Sequence, residues 1–197
     1  MREFMKSKPN DTWSDGDLLR RCKKRDEEAF LILYRRHQGP VFRFALHMSG
    51  SRDTAEEVTQ EVFLAMLTET DRYLPDRSPL QAYLIGIARN RVRRHLRGIR
   101  EAPDRIGPNG GSPGDLIDEL SRDQDLTALR KAILSLPPAY REIVVLCDLE
   151  SIDYVNAASQ LGCPVGTVRS RLHRARAILQ AKLCEREKRQ RSGGCVV

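Results

Sequence analysis

Between Asp153 and Leu179 the chain carries arginine and small polar side chains at a spacing suited to reading nucleic acid. The segment DYVNAASQL ends at Gly162, a residue that accepts the left-handed conformation after a helix. Pro164 then sets the start of PVGTVRSRLHRARAIL. Ala157 and Ala158 are small enough for two helices to approach closely. On a helical wheel Val165, Val168, Leu172, Ala175 and Leu179 share one arc, while Gly166, Thr167, Ser170, His173 and Arg174 fall opposite. Arg169 and Arg171 lie on the two flanks. A recognition helix needs this layout: an apolar seam toward its own domain, polar groups and arginine toward base edges, and flanking arginine toward phosphates. An ordinary basic surface helix would share the charge, but not the preceding helix and turn.

A second basic element runs from Leu80 to Arg97. Arg89, Arg93 and Arg97 repeat every four residues as a ridge, broadened by Arg91 and Arg94, with Asn90 and His95 beside it. Phosphate contact is the chemistry this suggests. Tyr73 and Tyr83 flank a proline-bounded loop, LPDRSP, and could stack unpaired bases or simply fill a core.

Other chemistries find no support. His37, His47, His95 and His173 have no metal-ligand spacing, and no Gly-rich phosphate loop or nucleophile motif occurs. Neither catalytic residue, metal nor cofactor is expected. Five scattered cysteines without a CxxC pair argue against a disulfide scaffold or zinc ribbon and fit a reducing cytoplasm. With 197 residues, 31% of them charged, and a mean hydropathy of −0.50, the core must be modest. No apolar run reaches bilayer length, and the first residues lack the apolar stretch of a secretory signal.

The elements that must position these residues are all helical. Ser14 and Asp26 read as helix starts, and Asp53 with Glu56 as a capping-box-like start for TAEEVTQEVFLAML. Gly39-Pro40 is expected to interrupt or kink the helix it falls in, and Gly50 to end it. Leu126, Leu129 and Ile133 mark another helix, and AYREIVVLCDL follows Pro137-Pro138. Between Pro103 and Gly114 proline and glycine are dense, and residues 101–127 carry a net charge of −5 between blocks of +6 (16–100) and +6 (128–197). The expectation is therefore two small all-α domains joined by a flexible acidic linker, with the two readers poorly fixed relative to one another. Residues 1–14 form a tail, 15–100 the first domain, 101–124 the linker, 125–185 the second domain and 186–197 a flexible basic tail.

DEEAFLILYRRH, AEEVTQEVFLAML, YLIGIARN and LGCPVGTVRSRLHRARAIL, in that order around such a linker, resemble the bacterial extracytoplasmic-function sigma factors of the sigma-70 family. The likeness spans about residues 15–185. It implies region two over 15–100 and region four over 125–185. It implies that Glu57, Gln60, Glu61 and Phe63 dock on the clamp helices of the largest subunit of core RNA polymerase, with a further contact on the flap. The loop Asp76, Arg77, Ser78 and the helix bearing Tyr83, Arg89, Asn90, Arg93, Arg94 and Arg97 would capture the minus-ten element. Gly166, Thr167, Arg169, Ser170, Arg171, His173 and Arg174 would read the minus-thirty-five element. The acidic linker would thread toward the RNA exit path. Promoter DNA and an anti-sigma factor are the other implied partners, with no stable homo-oligomer.

Asn156 stands where the family commonly has Glu, Ser151 where it has Gly, Tyr83 where it has Trp, Leu80 where it has Phe, and Arg94 where it has an acidic residue. These departures bear on promoter sequence and melting, not on the class. A stand-alone dimeric helix-turn-helix regulator is the competing reading. It explains the second domain and leaves the first without a role.

Overall fold

The computed structural model describes residues 13–69, 72–101 and 124–193. Among these there are helices and turns and no strand. The order is α1 (Asp15–Lys23), α2 (Glu27–Ser49), α3 (Arg52–Thr68), α4 (Leu80–Glu101), α5 (Gln124–Leu134), α6 (Pro138–Val144), α7 (Tyr154–Leu161) and α8 (Val165–Gly193). Most of the expected linker lies outside the described residues.

Short polar side chains start α1, α2, α3 and α7. Ser14 Oγ accepts the Asp17 N–H at 3.1 Å, Asp26 accepts the Ala29 N–H at 3.1 Å, and Asp153 accepts the N–H groups of Val155 and Asn156, both at 2.9 Å. For α3 the cap is Ser51, whose Oγ takes the Thr54 N–H at 3.3 Å. The expected start at Asp53 falls two residues later, inside the first turn. Gly50 closes α2 at φ 74°, donating to the Leu46 carbonyl at 2.8 Å.

Of the expected interruption or kink at Gly39-Pro40, the interruption does not occur, and α2 runs on through Pro40. Leu33, His37, Val41, Phe44 and Met48 form a buried stripe that runs through it. A proline inside a helix costs about 3 kcal/mol. Burying several large side chains at about 1.5–3 kcal/mol each outweighs that.

α2, α3 and α4 enclose the first core around Phe44, Met66, Leu84 and Ile85. α5 to α8 enclose a second around Ile133, Leu136, Ile143, Leu146 and Leu172. The two cores are continuous, so the halves are packed together rather than poorly fixed. Polar bonds cross between them. Arg89 pairs with Glu142 at 2.5 Å and donates to the Gln160 carbonyl at 2.7 Å. Arg43 holds both oxygens of Glu150 at 3.2 and 2.9 Å, and Gln81 donates to the Glu150 carbonyl at 3.1 Å. Gln160 donates to the Ala82 carbonyl at 2.8 Å, and Arg141 to that of Met48 at 3.0 Å.

AYREIVVLCDL is not one uniform helix. After α6 the chain widens into a π-helical turn over Val145–Leu149, closed by Glu150 N–H on the Val145 carbonyl at 3.0 Å. Ser151 then takes φ 54°, a left-handed conformation that a Cβ disfavours. This explains physically why glycine suits that position. α8 stays helical to Gly193, into the segment expected as a flexible tail.

Candidate nucleic-acid interface

α7 and α8 form the helix-turn-helix that the spacing implies. Gly162 adopts φ 63°, and Cys163 N–H returns to the Ala158 carbonyl at 3.1 Å, closing α7. Ala157 and Ala158 are buried where the helices meet, and Val168, Leu172, Ala175 and Leu179 are buried along the seam of α8. Val165, placed on the same arc, is only half-buried. Gly166, Arg169, Ser170, His173 and Arg174 are exposed together, with Thr167 and Arg171 half-buried at the edges. The Arg169 guanidinium lies 5.9 Å from the centre of the Tyr154 ring, which limits its wandering before any phosphate arrives. Arg176, which the wheel did not single out, binds both oxygens of Asp148 at 3.1 and 2.6 Å. It clamps α8 to the π-helical turn.

The residues expected to form the first-domain reader also lie near one another. Asp76 and Arg77 are exposed and Ser78 half-buried. The Tyr73 hydroxyl donates to the Ser78 carbonyl at 3.1 Å, and the Tyr73 and Tyr83 rings stand 5.2 Å apart. Both tyrosines are half-buried, and burial pushes their hydroxyl pKa values up, so they stay neutral donors. Asn90, Arg93, Arg94 and Arg97 are exposed and line one trough along α4.

Two expected residues need correcting. Arg89 does not stand free on the ridge, because its side chain is 13% exposed and spent on Glu142 and Gln160. Phe63 cannot meet a partner, being 3% exposed and packed 4.7 Å from the Tyr34 ring. The outward face of α3 is instead Glu57, Gln60, Leu64 and Leu67, with Leu64 62% exposed. Leu64 and Leu67 were hidden in the run VFLAML, where nearly every residue is apolar and only packing separates the inner face from the outer. Glu61 is half-buried, with Arg91 Nε and His95 Nε2 each 3.4 Å from its carboxylate. Glu57, Glu61 and His95 come within 4.8 Å of one another, a metal-like spacing, but Arg91 already supplies the positive charge there.

Burial and the arginines around it hold the His47 imidazole down at about 4. Burial raises the Glu150 carboxyl, against the lowering pull of Arg43. Burial also pushes the Cys147 thiol up to about 11, leaving it unreactive at neutral pH. No described helix is long and apolar enough to cross a membrane.

Residues 33–101 match the family described as Sigma-70 region 2, and residues 126–179 match Sigma-70, region 4. The ECF RNA polymerase sigma factor SigE of Mycolicibacterium smegmatis is 33% identical over 78% of this chain. The chain spans 61% of that relative's length. The ECF RNA polymerase sigma factor SigC of Mycobacterium tuberculosis is 36% identical over 73% of this chain and 77% of its own. The ECF RNA polymerase sigma-E factor of Escherichia coli K12 is 30% identical over 86% of this chain and 94% of its own. Among solved structures, CnrH in complex with the cytosolic domain of CnrY superposes with a TM-score of 0.66 at 26% identity, covering 87% of this chain and 97% of that one. The sigma factor RpoE bound to the anti-sigma factor NepR from Bartonella quintana gives 0.63 at 27%, covering 78% and 96%. With both sigma regions in order and identity sustained over nearly the full length of the Escherichia coli protein, the chain belongs to the extracytoplasmic-function sigma factors of the sigma-70 family.

Proposed function

We propose that this protein binds core RNA polymerase, directs it to one class of promoter and assists opening of the DNA, with no catalysis of its own. The observation that carries the reading is the α8 surface. Its apolar seam is buried while Arg169, Ser170, His173 and Arg174 stand exposed on one face. That face enters the major groove at the minus-thirty-five element, Arg174 toward base edges and Arg169 toward phosphate.

Asp76, Arg77, Ser78, Tyr83 and Asn90 take unpaired bases of the minus-ten element, and Arg93, Arg94 and Arg97 hold its phosphates. Stacking on Tyr83 tolerates any base, so discrimination falls to the polar loop. Prolines at 75 and 79 lower the cost of ordering that loop. Glu57, Gln60, Leu64 and Leu67 meet the clamp helices of the largest polymerase subunit, and the second domain meets the flap. The sigma factor RpoE, solved with the anti-sigma factor NepR, supports a partner of that kind here, and a cytoplasmic site of action accords with all of these contacts.

Run-off transcription with purified core polymerase and genomic fragments tests the reading. Initiation at discrete sites, dependent on both core and this chain, is the expected result. Tight sequence-specific binding by the chain alone, unchanged by core, would favour a stand-alone regulator. Replacing residues 75–79 with glycine and serine should impair opening of duplex promoters, read by permanganate footprinting. A pre-melted template should restore part of the loss, and core binding should survive.

A further inference from the structure

Gly86 lies in the interior of α4, where glycine is the least favourable residue short of proline. Two local reasons could require it, and neither holds. Its backbone does not take a positive φ, which among the glycines of the described residues is confined to Gly50 and Gly162. No neighbour crowds it either. A Cβ there would meet only the Gln160 side chain of α7, at 3.8 Å, which is ordinary van der Waals contact. Alanine would therefore fit the folded chain and favour the helix. What the glycine does permit is close approach of another molecule to the bare helix backbone.

Tyr83, Gly86, Ile87 and Asn90 stand three and four residues apart, so they share one face of α4. With Arg77 and Ser78 they line a cavity of about 500 Å³, and α7 lines another side of it. That volume falls in the range of small-molecule sites, about 300–1,000 Å³. The Tyr83 ring stands at one end of the face, steadied by the Tyr73 ring 5.2 Å away. Asn90 at the other end is exposed and offers both a donor and an acceptor. Two helical turns, about 10 Å, separate them, with Gly86 as a bare step between. The step carries no charge and, inside a helix, no free N–H, so it suits a flat ring rather than a phosphate.

We propose that Gly86 is a contact residue for one unpaired base of the minus-ten strand, whose ring lies against the bare α4 backbone between Tyr83 and Asn90. The inference rests on the minus-ten reading proposed above and adds to it the surface that sets how deep the base sits. Stacking on Tyr83 alone leaves that depth open, whereas contact along Gly86 brings the base edge to Asn90. A Cβ at position 86 would hold the ring away, and a gap of about 0.5–1 Å already forfeits a quarter to a half of the dispersion attraction.

The test uses holoenzyme assembled from core polymerase and the full chain, on a promoter mapped by run-off transcription. Gly86→Ala should raise the melting temperature of the free chain by roughly 2–4 °C. The same variant should bind core as the wild type does. Its holoenzyme should lose roughly 5- to 10-fold in affinity for single-stranded DNA carrying the minus-ten segment, with a matching loss of permanganate-detected opening on the duplex. The opposite signs separate contact from structure, since a merely structural glycine would lower stability and binding together when replaced. Abasic nucleotides placed singly along the strand then locate the base. At one position the abasic residue should weaken wild-type binding roughly 5- to 10-fold and the Ala variant by less than about twofold, while other positions affect both proteins alike. Gly86→Leu should deepen the loss, and should circular dichroism show it unfolded, the Ala variant decides. An Ala variant that binds the strand and opens the duplex like the wild type overturns the contact, as does an abasic scan in which no position loses its effect. Core-dependent initiation with a harmless Gly86→Ala removes the contact alone; absence of core-dependent initiation by the wild type removes the minus-ten reading and the contact with it.

Discussion

A half-buried histidine near the end of α2 makes stability depend on pH in a calculable way. His47 lies where α2 meets the second domain, and its imidazole is held down to about 4 from 6.5. Burial is the main cause, followed by the positive charges of Arg130 and Arg43. Between those two values the unfolded chain binds a proton that the folded chain refuses. Stability from this residue is therefore present above pH 6.5 and lost as pH falls toward 4. The shift of about 2.5 units corresponds to about 3.4 kcal/mol when complete, at 1.36 kcal/mol per unit. At pH 5 about 2 kcal/mol is already lost. Asp15, lowered chiefly by its hydrogen bond with His37, keeps its stabilising contribution above 3.8 and loses it only as pH falls below that value. Glu150, raised from 4.5, acts with the opposite sign. The difference between wild type and His47→Gln cancels both. Urea unfolding at several values between pH 7.5 and 5 should show the wild type losing about 2 kcal/mol more than the glutamine variant across that range. Parallel pH profiles for the two proteins would refute the reasoning, since they would mean His47 protonates equally well in the folded chain.

Leu172→Ala should cost about 2–5 kcal/mol in denaturant unfolding, because Leu172 is 2% exposed in the α8 seam. Arg174→Ala should leave stability unchanged and weaken promoter binding by about 1–3 kcal/mol, with relaxed preference at the base it reads. An equal loss on every sequence would remove the base-reading role. Adjacent residues on α3 should separate: Phe63→Ala destabilises by about 3–5 kcal/mol, while Leu64→Asp keeps stability and loses core binding in a pull-down. Ser151→Gly should stabilise the chain by about 0.5–1 kcal/mol in thermal unfolding, since it relieves φ 54° at an exposed turn.

Local patterns sufficed for much of this molecule. Helix starts at Ser14 and Asp26 and stops at Gly50 and Gly162 follow from backbone donors and acceptors within a few residues, so composition reveals them. Most of the exposed and buried sides of α8 follow from period, with Val168, Leu172, Ala175 and Leu179 inward and Arg169, Ser170, His173 and Arg174 outward, while Val165 and Thr167 end up half-buried. Tertiary packing decided the rest. α2 continues through Pro40 because its buried stripe does, and that gain belongs to the whole bundle. Phe63 and Leu64 are adjacent and both apolar, and only the positions of Phe30 and Tyr34 send one inward and the other out. Arg89 and Arg93 occupy equivalent steps of one ridge. Glu142, 53 residues away in sequence, takes the first and leaves the second exposed. Charge and period are written within one helix, whereas the partner that neutralises a charge is set by how separate helices meet, and no local pattern carries that information.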